Sequence, residues 1–92
     1  MDTKTITLVR PIERGESKMT KLTLREPTSG DLRGLKLADV LQLDVNALMN
    51  LLPRICIEGL TGPEIAKLCP ADLARAGGAV VGFFDQEAAT EV

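Results

Sequence analysis

The sequence predicts an α+β domain, an N-terminal β-hairpin followed by a small bundle of three to four short helices. Three observations carry this reading. Residues 5–25 alternate apolar and polar side chains on either side of a turn. From Thr28 onward, capping residues recur just ahead of apolar runs. Between Leu43 and Gly59 the apolar residues fall at helical spacing. The 92 residues form one domain, divided into a hairpin over 5–26, a helical part over 28–86 and a tail over 87–92 that is expected to fray.

In the first strand, Ile6, Leu8 and Ile12 share one side by period two, and Thr5 and Thr7 take the other. Pro11 cannot donate to a ladder and belongs at an edge or at the strand end. Glu13-Arg-Gly-Glu is a turn, and Lys18–Arg25 is the second strand, with Leu22 and Leu24 on one face. An isolated hairpin is marginal in water, so Ile6 and Leu8 should face the helices or a second copy of the chain.

Thr28-Ser-Gly-Asp has the spacing of a capped helix start, with Leu32 and Leu35 following and Gly34 limiting it to two or three turns. Leu37–Leu43 is apolar and irregular, readable as a helix or as a packed connector. The central helix follows. Val45, Leu48, Met49, Leu52, Ile55 and Cys56 form its apolar face, Asp44 caps it and Gly59 ends it. Pro53 predicts a kink or a division. Thr61 and Glu64 have capping-box spacing around Pro63, which predicts a short helix stopping before Pro70. Pro70 opens the last helix, with Leu73, Ala76, Val80 and Phe84 along one face. The Gly77-Gly78 pair inside it permits close helix approach or marks a bend.

Composition narrows the function. Phe83 and Phe84 are the only aromatics, so the core is aliphatic. Histidine is absent, which removes the commonest general base and metal ligand. Cys56 and Cys69 have no metal-site spacing, and no nucleophile stands beside an evident base, so no catalytic residue, metal or cofactor is expected. No apolar run is long enough for a membrane span or a signal peptide, which predicts a soluble cytoplasmic protein. Residues 1–36 carry eight basic and five acidic side chains, and residues 37–92 carry three and eight. That asymmetry suggests attraction within the chain or between copies, against the blander reading that solvated faces differ by chance.

Leu60–Arg75 contains two helix starts in the manner of a helix-turn-helix, which gives a small DNA-binding regulator as the alternative function. Its second helix carries only Arg75 among acidic residues, a poor match to phosphates, so nucleic acid is not the expected partner. A binding module fits better. Val81 and Phe83 fall off the Leu73–Val80–Phe84 face, so the last helix is apolar on more than one side. Either the Leu37–Leu43 segment wraps over that side or a partner does. Val81, Phe83, Ile6 and Leu8 are therefore the candidate partner-binding residues, and Asp72, Asp85 and Glu87 would favour a partner with basic flanks.

The order of short motifs adds a resemblance. Leu-Thr-Leu-Arg-Glu-Pro-Thr (22–28), Gly-Asp-Leu-Arg-Gly-Leu (30–35), Leu-Leu-Pro-Arg-Ile (51–55), Leu-Thr-Gly-Pro-Glu-Ile (60–65) and Pro-Ala-Asp-Leu (70–73) follow one another. Over residues 5–85 the chain resembles the E-type tail assembly chaperones of contractile-tailed, Mu-like and P2-like phages and prophages. The resemblance implies a non-enzymatic assembly factor. Such a factor binds the tape measure protein, keeps that long helical chain soluble, assists tail tube subunits, and is absent from the finished virion. It also implies that a longer product is often made by translational frameshifting. It supplies no catalytic, cofactor-binding or partner-binding residues to carry over.

Overall fold

The computed structural model describes residues 2–84. The hairpin and the helices are both present. Strand β1 (Thr3–Arg14) pairs antiparallel with β2 (Ser17–Arg25) in a two-stranded sheet. The connecting loop is Gly15-Glu16, with Gly15 at φ +55°. Two-residue hairpin turns place positive φ at their first central position, where glycine carries no Cβ penalty.

Pairing is regular from Thr3↔Arg25 to Thr7↔Lys21 and resumes at Ile12↔Met19. Leu8–Pro11 therefore stand opposite Thr20 alone, a wide bulge in β1. Pro11 sits inside this bulge, where no ladder partner needs its missing N–H.

A four-residue 3-10 turn, Ser29–Leu32, follows the hairpin and carries the Thr28–Asp31 capping box. It is a single turn where two or three were expected. Its far end closes through Arg33 and Leu35 N–H bonds to Gly30 and Leu32 carbonyls, so the backbone leaves the helical path before Gly34. The Leu37–Leu43 segment resolves into helix α1 (Leu37–Leu41). Helix α2 (Val45–Ile55) is capped by Asp44, whose carboxylate accepts from the Ala47 N–H.

Helix α2 neither divides at Pro53 nor reaches Gly59. Pro53 stands in its last turn, and the backbone becomes extended at Cys56, where it bridges to Leu24 of β2. The buried residues of α2 are Ala47, Leu48, Leu51, Leu52 and Ile55. Val45, expected on that face, is 52% exposed, because the face turns toward Ala47 and Leu51. Helix α3 (Gly62–Ile65) is one turn with a complete Thr61–Glu64 capping box. A single turn is too short to serve as the first helix of a helix-turn-helix. Helix α4 (Pro70–Phe84) runs unbroken through Gly77-Gly78 and packs along β1.

The core lies between one face of the hairpin and the helices. Leu22 and Leu24 of β2, Val40 of α1, Leu48, Leu51, Leu52 and Ile55 of α2, and Val80 of α4 are all at least 99% buried. Among the described residues, no helix is long and apolar enough to cross a membrane.

Candidate functional site

Polar clamps fix the elements relative to one another. At the end of β2, the Arg25 guanidinium donates to both carboxylate oxygens of Asp31 at 2.6 and 2.9 Å and to the Arg54 carbonyl at 2.8 Å. Arg54 in turn donates to the carbonyls of Asp31 and Arg33 at 2.6 and 2.9 Å. The fork of Arg25, with the Thr28 N–H, holds the Asp31 carboxyl far below the usual carboxylate range. At the hairpin tip, Arg14 makes a second fork to Glu64 at 2.6 and 2.8 Å. That fork and the Thr61 N–H bring the Glu64 pKa down to about 2.

The third clamp is buried. Asp72, in the first turn of α4, is fully inaccessible to solvent. Its two oxygens accept from the Val9 and Arg10 N–H groups at 2.8 and 3.0 Å, and the Cys69 thiol donates at 3.2 Å. These are the backbone donors that the bulge releases from the ladder. Burial pushes the Asp72 carboxyl upward, but the two N–H bonds outweigh it and the net shift is downward. A fourth clamp closes the outer edge of β2. Glu58 accepts from the Thr23 N–H and hydroxyl, both at 2.7 Å, and the Ile57 N–H donates to the Thr23 carbonyl at 2.8 Å. Burial raises the neighbouring Cys56 thiol, which donates to Glu58 at 3.3 Å.

Each of these groups holds one element against another. The unusual surface lies elsewhere, around α1. This helix buries only Val40, while Leu37 is 54% exposed and Leu41, four residues on along the same side, is 46% exposed. Its end is closed by the Asp44 N–H donating to the Asp39 carbonyl and the Leu43 N–H donating to the Val40 carbonyl. Helix ends of this kind place a left-handed residue at the turn, usually glycine. Here it is Leu43, at φ +61°. A side chain in that region costs about 1–2 kcal/mol.

The strain sets the Leu43 side chain against α4, where a Cβ on Gly77 would lie 2.8 Å from it. Gly77 thus serves a close approach, and Leu43 remains 40% exposed. Val81 is one turn beyond Gly77 and half-buried. A groove of about 280 Å³ opens between Leu37, Leu32, Pro27, Phe83 and Phe84. Leu37, Leu41, Leu43 and Val45 all stand exposed, and Leu37 also lines this groove. Glu26 lies at the groove, and Asp39 and Asp44 with Lys36 line a second hollow beside α1, a mainly acidic border.

The sequence-predicted site residues are redistributed. Phe83 is 95% buried, not exposed, and only contributes to the groove wall; Lys4 Nζ lies 4.8 Å from its ring centroid. Leu8 is likewise in the core, at 5% exposure, and Ile6 packs against the core. The reason is Asp72. The inward face of α4 centres on Asp72–Ala76–Val80–Phe83; of the expected Leu73–Ala76–Val80–Phe84 face, Ala76 and Val80 are buried, while Leu73 and Phe84 pack against the core only partly buried. A carboxylate read as part of an acidic rim is in fact buried, and this turns the helix by a fraction of a turn. Asp85 and Glu87, the other expected rim residues, lie outside the described residues.

The clamps coincide with the motif segments. Arg25, Thr28 and Asp31 belong to the first two, Arg54 to the third, Thr61 and Glu64 to the fourth, and Asp72 to the last. Each motif is thus accounted for by a joint of this fold. The profile of the family described as "Phage tail assembly chaperone proteins, E, or 41 or 14" matches residues 5–85. This chain belongs to that tail assembly chaperone family. It is 45% identical over 78 residues to tail assembly protein E of Escherichia phage P2, covering 85% of this chain and 86% of that one. It is 44% identical over 82 residues to tail assembly protein E' of the same phage, covering 89% of this chain but 58% of that longer one. No solved structure matches it.

Proposed function

We propose that this member of the tail assembly chaperone family acts without catalysis, by binding the tape measure protein through the Leu37–Leu41–Leu43 surface and the adjoining groove. The single observation that carries the reading is the pair of leucines that α1 leaves outside the core, Leu37 at 54% and Leu41 at 46% exposure. Leu43, left-handed and seated on Gly77, fixes the end of that helix and stays part-exposed beside them. Its neighbours Leu37 and Leu41 stand at the spacing with which apolar helices meet partners. The acidic border favours a partner helix with basic flanks. The tail tube protein is a second partner on this reading. The chaperone works in the cytoplasm of a host that carries the phage or prophage, and it leaves before the virion is complete.

The test is the double variant Leu37→Ser with Leu41→Ser, co-expressed with the tape measure protein of the same tail gene cluster. Both side chains lie outside the core, so circular dichroism should show an unchanged fold. The tape measure protein should remain soluble with the wild type and precipitate with the variant. If the variant protects equally well, the binding surface is elsewhere. If the wild type gives no protection, the tape measure reading falls.

A further inference from the structure

The sheet has two outer edges, and the chain seals part of each. On β2, the Thr23 N–H and C=O face outward and are taken by Glu58 and the Ile57 N–H. On β1, the outward N–H groups of Val9 and Arg10 are taken by Asp72, and the Thr7 carbonyl accepts from Arg75 at 3.2 Å. On β1, the stretch ahead of the bulge is left open.

Register identifies its groups. The Glu26 N–H donates to the Asp2 carbonyl, and hydrogen-bonded pairs alternate along an antiparallel ladder. Lys4 and Ile6 therefore bond inward to β2, while Thr3, Thr5 and Thr7 present N–H and C=O outward. Among the described residues, nothing bonds the outward groups of Thr3 and Thr5. Nor is this edge protected in the usual ways. It has no proline or bulge before Leu8. Its one lysine, Lys4, is turned under the sheet toward Gly82 and the Phe83 ring.

We propose that the Thr3–Thr7 edge pairs antiparallel with the same edge of a second copy, about a two-fold axis at Thr5, giving a four-stranded sheet. The segment Thr-Lys-Thr-Ile-Thr is self-complementary in this register. Thr5 meets Thr5 of the other copy, and Thr3 meets Thr7, whose N–H is open and whose carbonyl oxygen keeps a second lone pair beside the Arg75 bond. Lys4 stands opposite Ile6, which avoids a facing pair of like charges. Centring the axis one residue earlier would oppose the two lysines. Threonine is also favoured in such cross-strand pairs. The edge is five residues long, and the interface falls well below the ~1,200 Å² of standard complexes. The dimer is therefore reversible and forms at high local concentration.

The test has two arms. In the first, Thr5→Cys and Thr3→Cys variants are oxidised, and linked peptides are mapped to separate new links from any through Cys69. Paired Thr5 positions lie about 5.5 Å apart between Cα atoms, within disulfide reach. Paired Thr3 positions lie about 14 Å apart. The Thr5→Cys variant should link at least about tenfold faster than the Thr3→Cys variant. In the second arm, sedimentation equilibrium compares the wild type with Thr5→Pro, which removes the outward N–H and no bond of the hairpin ladder. The wild type should dimerise reversibly, and Thr5→Pro should stay monomeric. Wild type that remains monomeric up to about millimolar concentration, equal linking rates, or undiminished dimerisation of Thr5→Pro would each overturn the proposal. The Cys arm holds even if Thr5→Pro fails to fold.

Discussion

Replacing Asp72 by alanine should be among the most damaging single changes in the chain. The substitution leaves the Val9 and Arg10 N–H groups of the bulge without their acceptor. An unsatisfied buried donor costs about 1–3 kcal/mol, so two cost roughly 2–6 kcal/mol. A domain of this length has about 5–14 kcal/mol of stability in total. At about 4–8 °C per kcal/mol, the melting temperature should fall by at least about 8 °C. Asp72→Asn keeps one acceptor oxygen and should lose about half as much. The measurement is urea unfolding followed by circular dichroism. A loss of less than about 0.5 kcal/mol for Asp72→Ala would show that water replaces the carboxylate and that the clamp is not structural.

The same variants give a pH signature. The Asp72 carboxyl is shifted downward on folding, so its stabilisation is fully present above the unfolded-chain value, about pH 4, and is lost as pH falls through the folded value. Asp31 and Glu64 are shifted in the same direction and titrate in the same region. The informative quantity is therefore the difference between wild type and Asp72→Asn, which should shrink as pH falls below about 4.

Five further substitutions check the packing. Leu52→Ala should cost about 2–5 kcal/mol, while Val45→Ala, on the exposed side of the same helix, should stay within about 0.5 kcal/mol in the same urea assay. Gly78→Ala meets open space and should stabilise α4 by about 0.5–1 kcal/mol, whereas Gly77→Ala places a Cβ 2.8 Å from Leu43 and 3.0 Å from Leu48 and should lose that gain or destabilise. Leu43→Gly relieves left-handed strain of about 1–2 kcal/mol while giving up a partly buried side chain, so its net stability change should stay within about 1 kcal/mol. On the proposed function, that same variant loses protection of the tape measure protein.

The sequence showed the hairpin, the two capping boxes, the Asp44 cap and the proline starts of α3 and α4, because each depends on residues three or four apart. It also placed Leu48 and Leu52 in the core. It missed what depends on distant residues. The β1 bulge is stabilised by Asp72, more than sixty residues away, and without that partner Val9–Pro11 reads as a plain strand end. The burial of Asp72 then misdirected the reading of α4 and made Phe83 look exposed. The leucine surface could have been suspected. Leu37, Leu41, Leu43 and Val45 crowd a segment that has room to bury only Val40, and that excess of apolar residues was the available signal.

The distribution of stabilising contacts fits the proposed role. Helix α1 has five residues, no side-chain N-cap bond and one buried side chain, far too little for independent stability. It is held in place by its neighbours. The 3-10 turn before it is clamped by Arg25 and Arg54, and the turn after it is anchored by the Asp44 cap of α2 and by Leu43 on Gly77. Charged forks and backbone bonds on the hairpin side let the leucines of α1 stand outside the core without loosening it. On the proposed function, a helical partner binds and leaves this surface with every clamp in place, so neither event requires the fold to reorganise.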